Sequence, residues 1–298
     1  NVSGASAGAA SNRTEPAAIA VGDSPDEQRL NAQPFVPQPQ PGQNPDGAAR
    51  PEKPVGTAAV SEAKGNEFQA PYTPRSARKD DGVLIPSNMA QPTQDALSKL
   101  EDEVGDIDEF ARKELGYATV SDLHNALMGL QVDSVATSIY QIKKGKAVVI
   151  ADQTGIGKGR QAASIIRWAA LQGMTPVFVS VKPSLFTDMY GDLADIGTND
   201  VSPFIMNGDA WVAGEGGSKL FASKPGKHKQ AIQEIANSGQ LPDGSNALFM
   251  TYSQINVANV QRQALMALAP NAVFVLDESH NAAGASSTGE FVISVLEA

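Results

Sequence analysis

The sequence predicts an α/β fold with a mostly parallel sheet that is covered by helices on both faces. In the second half of the chain, short apolar runs alternate with amphipathic segments. Most of these runs are continuously apolar rather than alternating, which is typical of parallel strands buried on both sides. Crossovers between parallel strands are almost always right-handed, so the expected arrangement is doubly wound.

The elements follow one another regularly from about residue 111. Strands are predicted at the apolar runs 146–152, 176–181, 203–206, 246–251 and 271–277. Helices are predicted where apolar residues recur at helical spacing, at 161–173, 184–197, 228–239 and 254–268. A Gly-rich stretch, 208–227, interrupts this order. Its lysines make it locally basic, and we expect a solvated surface loop or, as the alternative, a loop that faces DNA.

The chain before this region divides into two parts. Residues 1–67 are rich in Pro, Ala, Gly and Gln and nearly lack aromatic residues. Such a segment cannot bury enough apolar surface to order itself, so a disordered linker is predicted, with a docking peptide as the alternative. Residues 68–110 are predicted to form an extension with an extended arm and an acidic helix from Thr93. Residues 111–298 are predicted to form the main domain.

The composition narrows the possible classes of function. The chain has no cysteine, which excludes disulfides and thiolate metal sites and agrees with a reducing cytoplasm. No apolar run approaches the roughly 18 residues of a membrane helix, so no membrane partner is expected. The net charge is -10, whereas non-specific DNA binders are usually basic. Contact with nucleic acid would therefore be local. The chain begins at Asn1 and ends inside a predicted helix, so we expect a piece of a longer protein.

The stretch ADQTGIGKG, residues 151–159, is the first motif that carries chemistry. It follows an apolar run and opens a predicted helix, which is the context of a phosphate-binding loop. Gly155 and Gly157 let backbone amides turn toward a phosphate, and the helix directs its positive end at the same anion. Lys158 would reach the outer phosphates of a nucleotide. A Gly-rich turn without a ligand is the alternative.

This loop departs from the usual pattern at two positions. Asp152 stands where the first Gly is usual, and Gly159 stands where a Ser or Thr hydroxyl usually binds magnesium. We expect that ligand to come from water or from a neighbour such as Thr154. Magnesium binding would then be weaker than in an ordinary ATPase.

The stretch VFVLDESHN, residues 273–281, is the second motif. An apolar strand here ends in two carboxylates, at the edge where parallel sheets bind ligands. Asp277 is predicted to hold Mg²⁺, and Glu278 to help bind it and to activate the water that attacks the γ-phosphate. Two acids after an apolar run are common. The phosphate-binding loop makes the pair specific, since both loops would leave the carboxyl ends of adjacent strands. ATP and Mg²⁺ are therefore the predicted cofactors.

The chain resembles the strawberry notch helicase-like proteins, members of superfamily two of the helicases. The similar stretches are LQVDSVATSI, ADQTGIGKGRQAASIIR, VFVSVKPSLFTDMYGDLADIG, ALFMTYSQI and VFVLDESHNAAG. The G-K-G-R sequence in place of G-K-T is typical of that family. The resemblance covers roughly residues 68–298 and does not include the Pro-rich start.

The resemblance implies a RecA-like first motor domain that uses ATP and Mg²⁺ and moves on nucleic acid, DNA rather than RNA. It also implies a bacterial or phage protein of the cytoplasm, sometimes fused to a DNA methyltransferase. A second, C-terminal RecA-like domain with an arginine finger would be the partner in hydrolysis. Without that domain, we expect this chain to bind nucleotide weakly and to hydrolyse it poorly.

The resemblance also assigns residues to roles. Gln131 would read adenine, although a plain Gln at a helix start is an equal alternative. The nucleotide contacts would come from Thr154, Gly155, Ile156, Gly157, Lys158, Gly159 and Arg160. Contacts to the nucleic acid or to the second motor domain would come from Ser180, Lys182, Thr251 and His280. Two other classes stay open: a P-loop NTPase switch or scaffold of a mobile element, and a structural protein with a vestigial site.

Overall fold

The structure is a computed structural model that describes residues 68–78, 82–151, 156–214, 217–222, 226–283 and 285–298. All described residues belong to one compact unit. The predicted linker, residues 1–67, lies outside the described residues. None of the helices in the described part of the chain is long and apolar enough to cross a membrane.

The strands are β1 (Gln69–Pro71), β2 (Leu84–Pro86), β3 (Thr175–Ser180), β4 (Pro203–Ile205), β5 (Trp211–Ala213), β6 (Lys219–Ala222), β7 (Ala247–Thr251) and β8 (Ala272–Leu276). The α-helices are α1 (Ser87–Val104), α2 (Ile107–Glu114), α3 (Val120–Ala126), α4 (Gly129–Lys143), α5 (Lys158–Leu171), α6 (Leu185–Asp195), α7 (His228–Ser238), α8 (Val260–Leu268) and α9 (Ser287–Leu296). Short 3-10 helices cover Tyr252–Ile255, Ala269–Asn271 and Ser279–Ala282.

The central sheet is parallel, and its strand order is β4-β7-β3-β8. Alternate residues of its strands face two different apolar clusters. Phe178 and Phe249 pack edge to face on one side, with ring centroids 5.3 Å apart, together with residues of α4, α5 and α6. Val179 and Met250 lie on the other side, with residues of α7, α8 and α9. The predicted α/β fold with helices on both faces is confirmed.

The strand predicted at 146–152 is wrong for its described part. Residues 146–151 form no strand, and the side chain of Val149 is 80% exposed. An apolar run becomes a strand only when it pairs with a neighbour, and none of the described strands pairs with this one. The sequence predicted that a sheet strand leads into the loop before α5. In the described residues the segment before this loop is not a strand.

The segment before residue 111 is packed into the same core as the rest. Helix α1 begins at Ser87, six residues earlier than predicted, because Pro92 is accommodated inside its second turn. The hydroxyl of Tyr72 donates to the buried carboxylate of Asp133 on α4, over 2.7 Å. The predicted domain boundary between residues 110 and 111 falls inside α2. The further division of the chain into domains stays a prediction.

Two other segments differ from expectation. The Gly-rich stretch 208–227 contains a β-hairpin, since β5 pairs with β6 in antiparallel fashion. This hairpin packs on α6, where the ring of Phe221 contacts that of Tyr190 with centroids 5.4 Å apart. The helix predicted at 254–268 starts only at Val260. There the Asn259 side chain caps it by accepting from the backbone of Arg262.

Candidate nucleotide-binding site

Three strands of the central sheet end at one edge in polar or charged residues. Ser180 ends β3, Thr251 ends β7, and Asp277 follows β8. Because these strands are parallel and adjacent, their carboxyl ends lie side by side. In open α/β sheets this is the edge where ligands bind.

The described part of the phosphate-binding loop is held in shape by Gln131. Its side-chain amide donates to the carbonyl oxygens of Ile156, over 2.9 Å, and Gly157, over 3.2 Å. Its own oxygen accepts from the backbone N–H of Met128, over 2.9 Å. Gly157 adopts the left-handed conformation, with φ 77°, and a Cβ at this position would overlap the amide nitrogen of Gln131. Only glycine therefore fits at residue 157.

The sequence suggested adenine recognition for Gln131, and this role stays a prediction. The side chain is 2% exposed, and its amide is engaged by the loop backbone in this structure. The alternative, a Gln at a helix start, agrees with its position in the first turn of α4. Thr154 and Gly155 lie outside the described residues.

Helix α5 begins at Lys158, directly after the loop and three residues before the predicted start at 161. No side chain caps its N-terminus. The backbone N–H of Arg160 donates to the carbonyl of Gly157, over 3.1 Å. The positive end of the helix dipole lies at the loop, where it favours an anion. Arg160 is turned toward α6, where its guanidinium lies 2.9 Å from the carboxylate of Asp195. Contact of Arg160 with the nucleotide stays a prediction.

The acidic box sits on the end of β8. The backbone N–H of Asp277 donates to the carbonyl of Val179, over 2.9 Å, and the hydroxyl of Tyr252 donates to the carbonyl of Asp277, over 2.9 Å. Burial raises the pKa of the Asp277 carboxyl, and the charge of Glu278 raises it further. The positive charge of Lys158 acts in the opposite direction and lowers the pKa of Asp277. The lysine of the loop therefore lies near enough to Asp277 to act on it electrostatically.

Glu278 has an unusual backbone. With φ 50° and ψ 51°, it is the one non-glycine residue of positive φ in the described ranges. Asn281 supports this turn, since its backbone N–H and its side-chain amide both donate to the Glu278 carbonyl, over 2.9 Å each. Strained backbone of this kind is found often at functional sites. It turns the carboxylate outward, and the Glu278 side chain is 58% exposed.

A family model described as P-loop containing NTP hydrolase pore-1 matches residues 114–294. This chain belongs to that family. The match covers more than half of the chain and includes both the phosphate-binding loop and the acidic box. None of the curated proteins matches the chain. The P-loop NTPase class is thereby shown, which makes the protein a nucleotide-binding NTP hydrolase.

Nucleotide with Mg²⁺ is the ligand that this P-loop NTPase family generally takes. The residues present fit it, because the lysine at the start of α5 acts electrostatically on the carboxylate at the end of β8. Within the described residues, no three acidic or histidine side chains form a metal cluster of their own. Mg²⁺ usually takes one or two protein carboxylates together with phosphates and water.

The residues predicted to contact nucleic acid or the second motor domain differ in accessibility. Ser180 and Thr251 are buried. The Thr251 hydroxyl accepts from the amide of Asn207, over 2.8 Å, and the Ser180 hydroxyl donates to the carbonyl of Lys182, over 3.2 Å. Lys182 is exposed, and His280 is 74% exposed with its ring 3.4 Å from the Glu278 carboxylate. Their contacts with nucleic acid stay predictions.

Sequence reasoning missed two supporting residues of the P-loop NTPase. Asn207 and Asn281 each hold a backbone or hydroxyl group at the edge of the sheet. Asn281 is the last residue of the second motif, so its sequence position was a usable signal. Asn207 contacts Thr251 from 44 positions away, and nothing in the sequence indicated that contact.

Proposed function

We propose that this chain is the ATP-binding first motor domain of an ATP-dependent DNA helicase or translocase of the strawberry notch type. The P-loop NTPase class comes from the family, and the motor assignment extends it. The similarity of five stretches, from LQVDSVATSI to VFVLDESHNAAG, to that helicase-like family supports the extension. So does a fold whose nucleotide edge carries further loops after β3 and β7.

The observation that carries the proposal is that the lysine of the loop acts electrostatically on the acidic box. Lys158, at the start of α5, lowers the pKa of Asp277, at the end of β8. These residues are 119 positions apart in the sequence (277 − 158), so only the fold brings them together. A metal-bound nucleoside triphosphate needs a cation to contact its phosphates and a carboxylate to hold its metal ion.

Each residue then has a definite task. Lys158 and the first-turn amides of α5 hold the outer phosphates of ATP. Asp277 would hold Mg²⁺, and the chemistry that the ion would supply is neutralisation of charge on the phosphates. Glu278 projects into solvent beside Asp277 and orients the attacking water, taking its proton. His280, next to Glu278, is placed to contact the second motor domain.

The nucleic-acid contact is proposed for exposed basic residues near the same edge. Lys182 follows β3 directly and is exposed. In the β5–β6 hairpin, the ammonium of Lys219 lies 3.8 Å from the centre of the Trp211 ring, and that ring is 41% exposed. An aromatic ring beside a cation can stack on a base while the cation contacts a phosphate. A bacterial or phage origin and a cytoplasmic location follow from the resemblance alone.

Binding of a fluorescent ATP analogue tests the nucleotide part of the proposal. Lys158→Ala removes the phosphate-binding ammonium, so we expect affinity to fall by at least about tenfold. Lys99→Ala is the matched control, since Lys99 is an exposed lysine of α1. Equal affinity in both variants would contradict the site.

DNA-stimulated hydrolysis tests the motor part. We expect single-stranded or duplex DNA to accelerate phosphate release by the chain joined to its second motor domain. Nucleotide binding with no DNA stimulation would instead support a P-loop switch or scaffold. Absence of nucleotide binding would support a vestigial site.

A further inference from the structure

Gly159 stands where a P-loop usually carries the hydroxyl that binds magnesium. Its backbone lies inside helix α5, outside the left-handed region, so no special conformation requires glycine there. Space requires it. A Cβ on residue 159 would overlap the Oδ2 atom of Asp192 and stand 2.8 Å from its Cγ and 3.2 Å from its Oδ1. A carboxylate oxygen therefore occupies the place beside residue 159 where a Ser or Thr side chain would begin.

The position of Asp192 is fixed by the packing of two helices. Asp192 lies on α6, which packs along α5 on the same face of the sheet. Asp195 is three residues further along α6, on the same side of that helix, and it pairs with Arg160 over 2.9 Å. Consecutive residues of the P-loop helix, Gly159 and Arg160, thus face consecutive carboxylates of α6. Asp192 is half-buried between the two helices.

We propose that the carboxylate of Asp192 replaces the missing P-loop hydroxyl as an oxygen ligand for the Mg²⁺ of bound nucleotide. This inference rests on the proposed nucleotide site and concerns the same edge of the sheet. Asp192 lies beside residue 159 at the start of α5, and Lys158, one residue earlier, acts electrostatically on Asp277 at the end of β8. Mg²⁺ favours a ligand set of one or two carboxylates together with phosphate oxygens and water.

The exchange of a neutral hydroxyl for a carboxylate changes the electrostatics of the site. A carboxylate next to bound phosphates repels them unless a cation lies between. Nucleotide binding by this chain should therefore depend on the divalent cation more strongly than in a P-loop with Ser or Thr. Without the cation, Asp192 opposes binding; with the cation, it strengthens binding.

The test is the binding of a fluorescent ADP analogue to the 298-residue chain while Mg²⁺ or Mn²⁺ is titrated. For Asp192→Asn we expect the cation concentration at half-maximal binding to rise by about tenfold or more. Binding in EDTA should be equal to or tighter than that of the unchanged chain, because the repelling charge is gone. Asp188→Asn is the matched control. It removes the same charge from an exposed position one turn earlier on α6, and we expect it to leave the cation dependence unchanged.

A second variant covers the case in which Asp192→Asn fails to fold. The double change Gly159→Ser with Asp192→Ala returns the hydroxyl and removes the carboxylate with which it would collide. We expect it to restore cation-dependent binding relative to Asp192→Ala alone. Thermal unfolding of every variant shows which of them are folded.

The outcomes are distinct. Unchanged cation dependence in folded Asp192→Asn, with or without a lower unfolding temperature, would mean that Asp192 only joins two helices, and the inference would be overturned. A folded double variant that binds no better than Asp192→Ala alone would overturn it as well. If the unchanged chain and Lys158→Ala bind the analogue equally, the proposed nucleotide site itself fails, and the inference fails with it.

Discussion

The side-chain amide of Gln131 donates to the carbonyl oxygen of Ile156, over 2.9 Å, and thereby ties helix α4 to the phosphate-binding loop. The same amide fills the space that a side chain on residue 157 would need. The loop thus takes its shape from a residue 25 positions earlier in the sequence. A substitution at Gln131 should therefore change the affinity for nucleotide.

Replacement of Gln131 by Ala should weaken the binding of ATP and GTP to the same extent. The half-buried carbonyls of Ile156 and Gly157 would lose their donor, which costs on the order of 1–3 kcal/mol when the group is fully buried. Competition assays with both nucleotides measure the effect. A loss confined to ATP would instead support adenine recognition by Gln131. Gln141→Ala, on the same helix, is the control that should leave both affinities unchanged.

Replacement of Glu278 by Gln should stop hydrolysis and spare nucleotide binding. The amide cannot accept the proton of the attacking water, and general-base catalysis is commonly worth about 10²- to 10⁴-fold in rate. The measurement is phosphate release in a single turnover with protein in excess over ATP, because this assay detects slow hydrolysis. Unchanged release in Glu278→Gln would show that another residue is the base.

Replacement of Glu278 by Gly should also stop hydrolysis but should stabilise the fold. The left-handed backbone costs a non-glycine residue about 1–2 kcal/mol, and glycine avoids this cost while losing roughly 0.5–1 kcal/mol in entropy. We expect an unfolding temperature roughly 1–4 °C higher. Glu278→Gln keeps the strained backbone and is the control with an unchanged unfolding temperature. An equal or lower temperature for Glu278→Gly would mean that residue 278 is not strained.

The stability of the fold should fall as the pH rises from about 4 to about 6, in part because of Asp133. Burial raises the pKa of Asp133 to about 6, although Tyr72, Arg75 and Ser76 donate hydrogen bonds to it and lower that pKa. A carboxyl with a raised pKa binds its proton more tightly when folded, so its contribution is complete below about pH 4 and is lost as the pH approaches 6. The loss is on the order of 1–3 kcal/mol.

Chemical denaturation across this pH range measures the slope. Asp133→Asn should remove the part that belongs to this residue, whereas Asp102→Asn, at an exposed position of α1, should not. The charged neighbour of Asp133 is Asp108, which in turn lies 3.1 Å from the ring of His124. The difference in pH slope between Asp133→Asn and Asp102→Asn gives the contribution of Asp133 apart from that of the Asp108–His124 pair. An identical slope in both variants would contradict the raised pKa.

The local structure that the sequence predicted correctly is set by neighbouring residues. The turn at Gly157, the helix that follows it and the apolar strand before the two acids each depend on a few consecutive positions. The sheet strands other than 146–152 were predicted for a similar reason, because their burial on both faces leaves a continuous apolar run.

The remaining features depend on contacts between distant parts of the chain. The apolar run at 146–151 has the composition of a strand. Strand formation also requires a neighbouring strand, and the residues of the run do not indicate whether one is available. The contact of Asp192 with residue 159 joins two helices 33 positions apart (192 − 159). The β5–β6 hairpin was not predicted because its strands, WVA and KLFA, are short and flank a run of glycines.

The bond between Tyr72 and Asp133 also determines how short this protein can be made. A shortened chain that begins at residue 111, where sequence alone places the start of the domain, would lack every donor that Asp133 uses. An ionised buried carboxylate without donors costs several kcal/mol, and Asp133 lies on the helix that also holds the phosphate-binding loop. A stable shortened chain therefore includes the arm that carries Tyr72, Arg75 and Ser76, and any truncation for biochemistry or crystallisation should start before Tyr72.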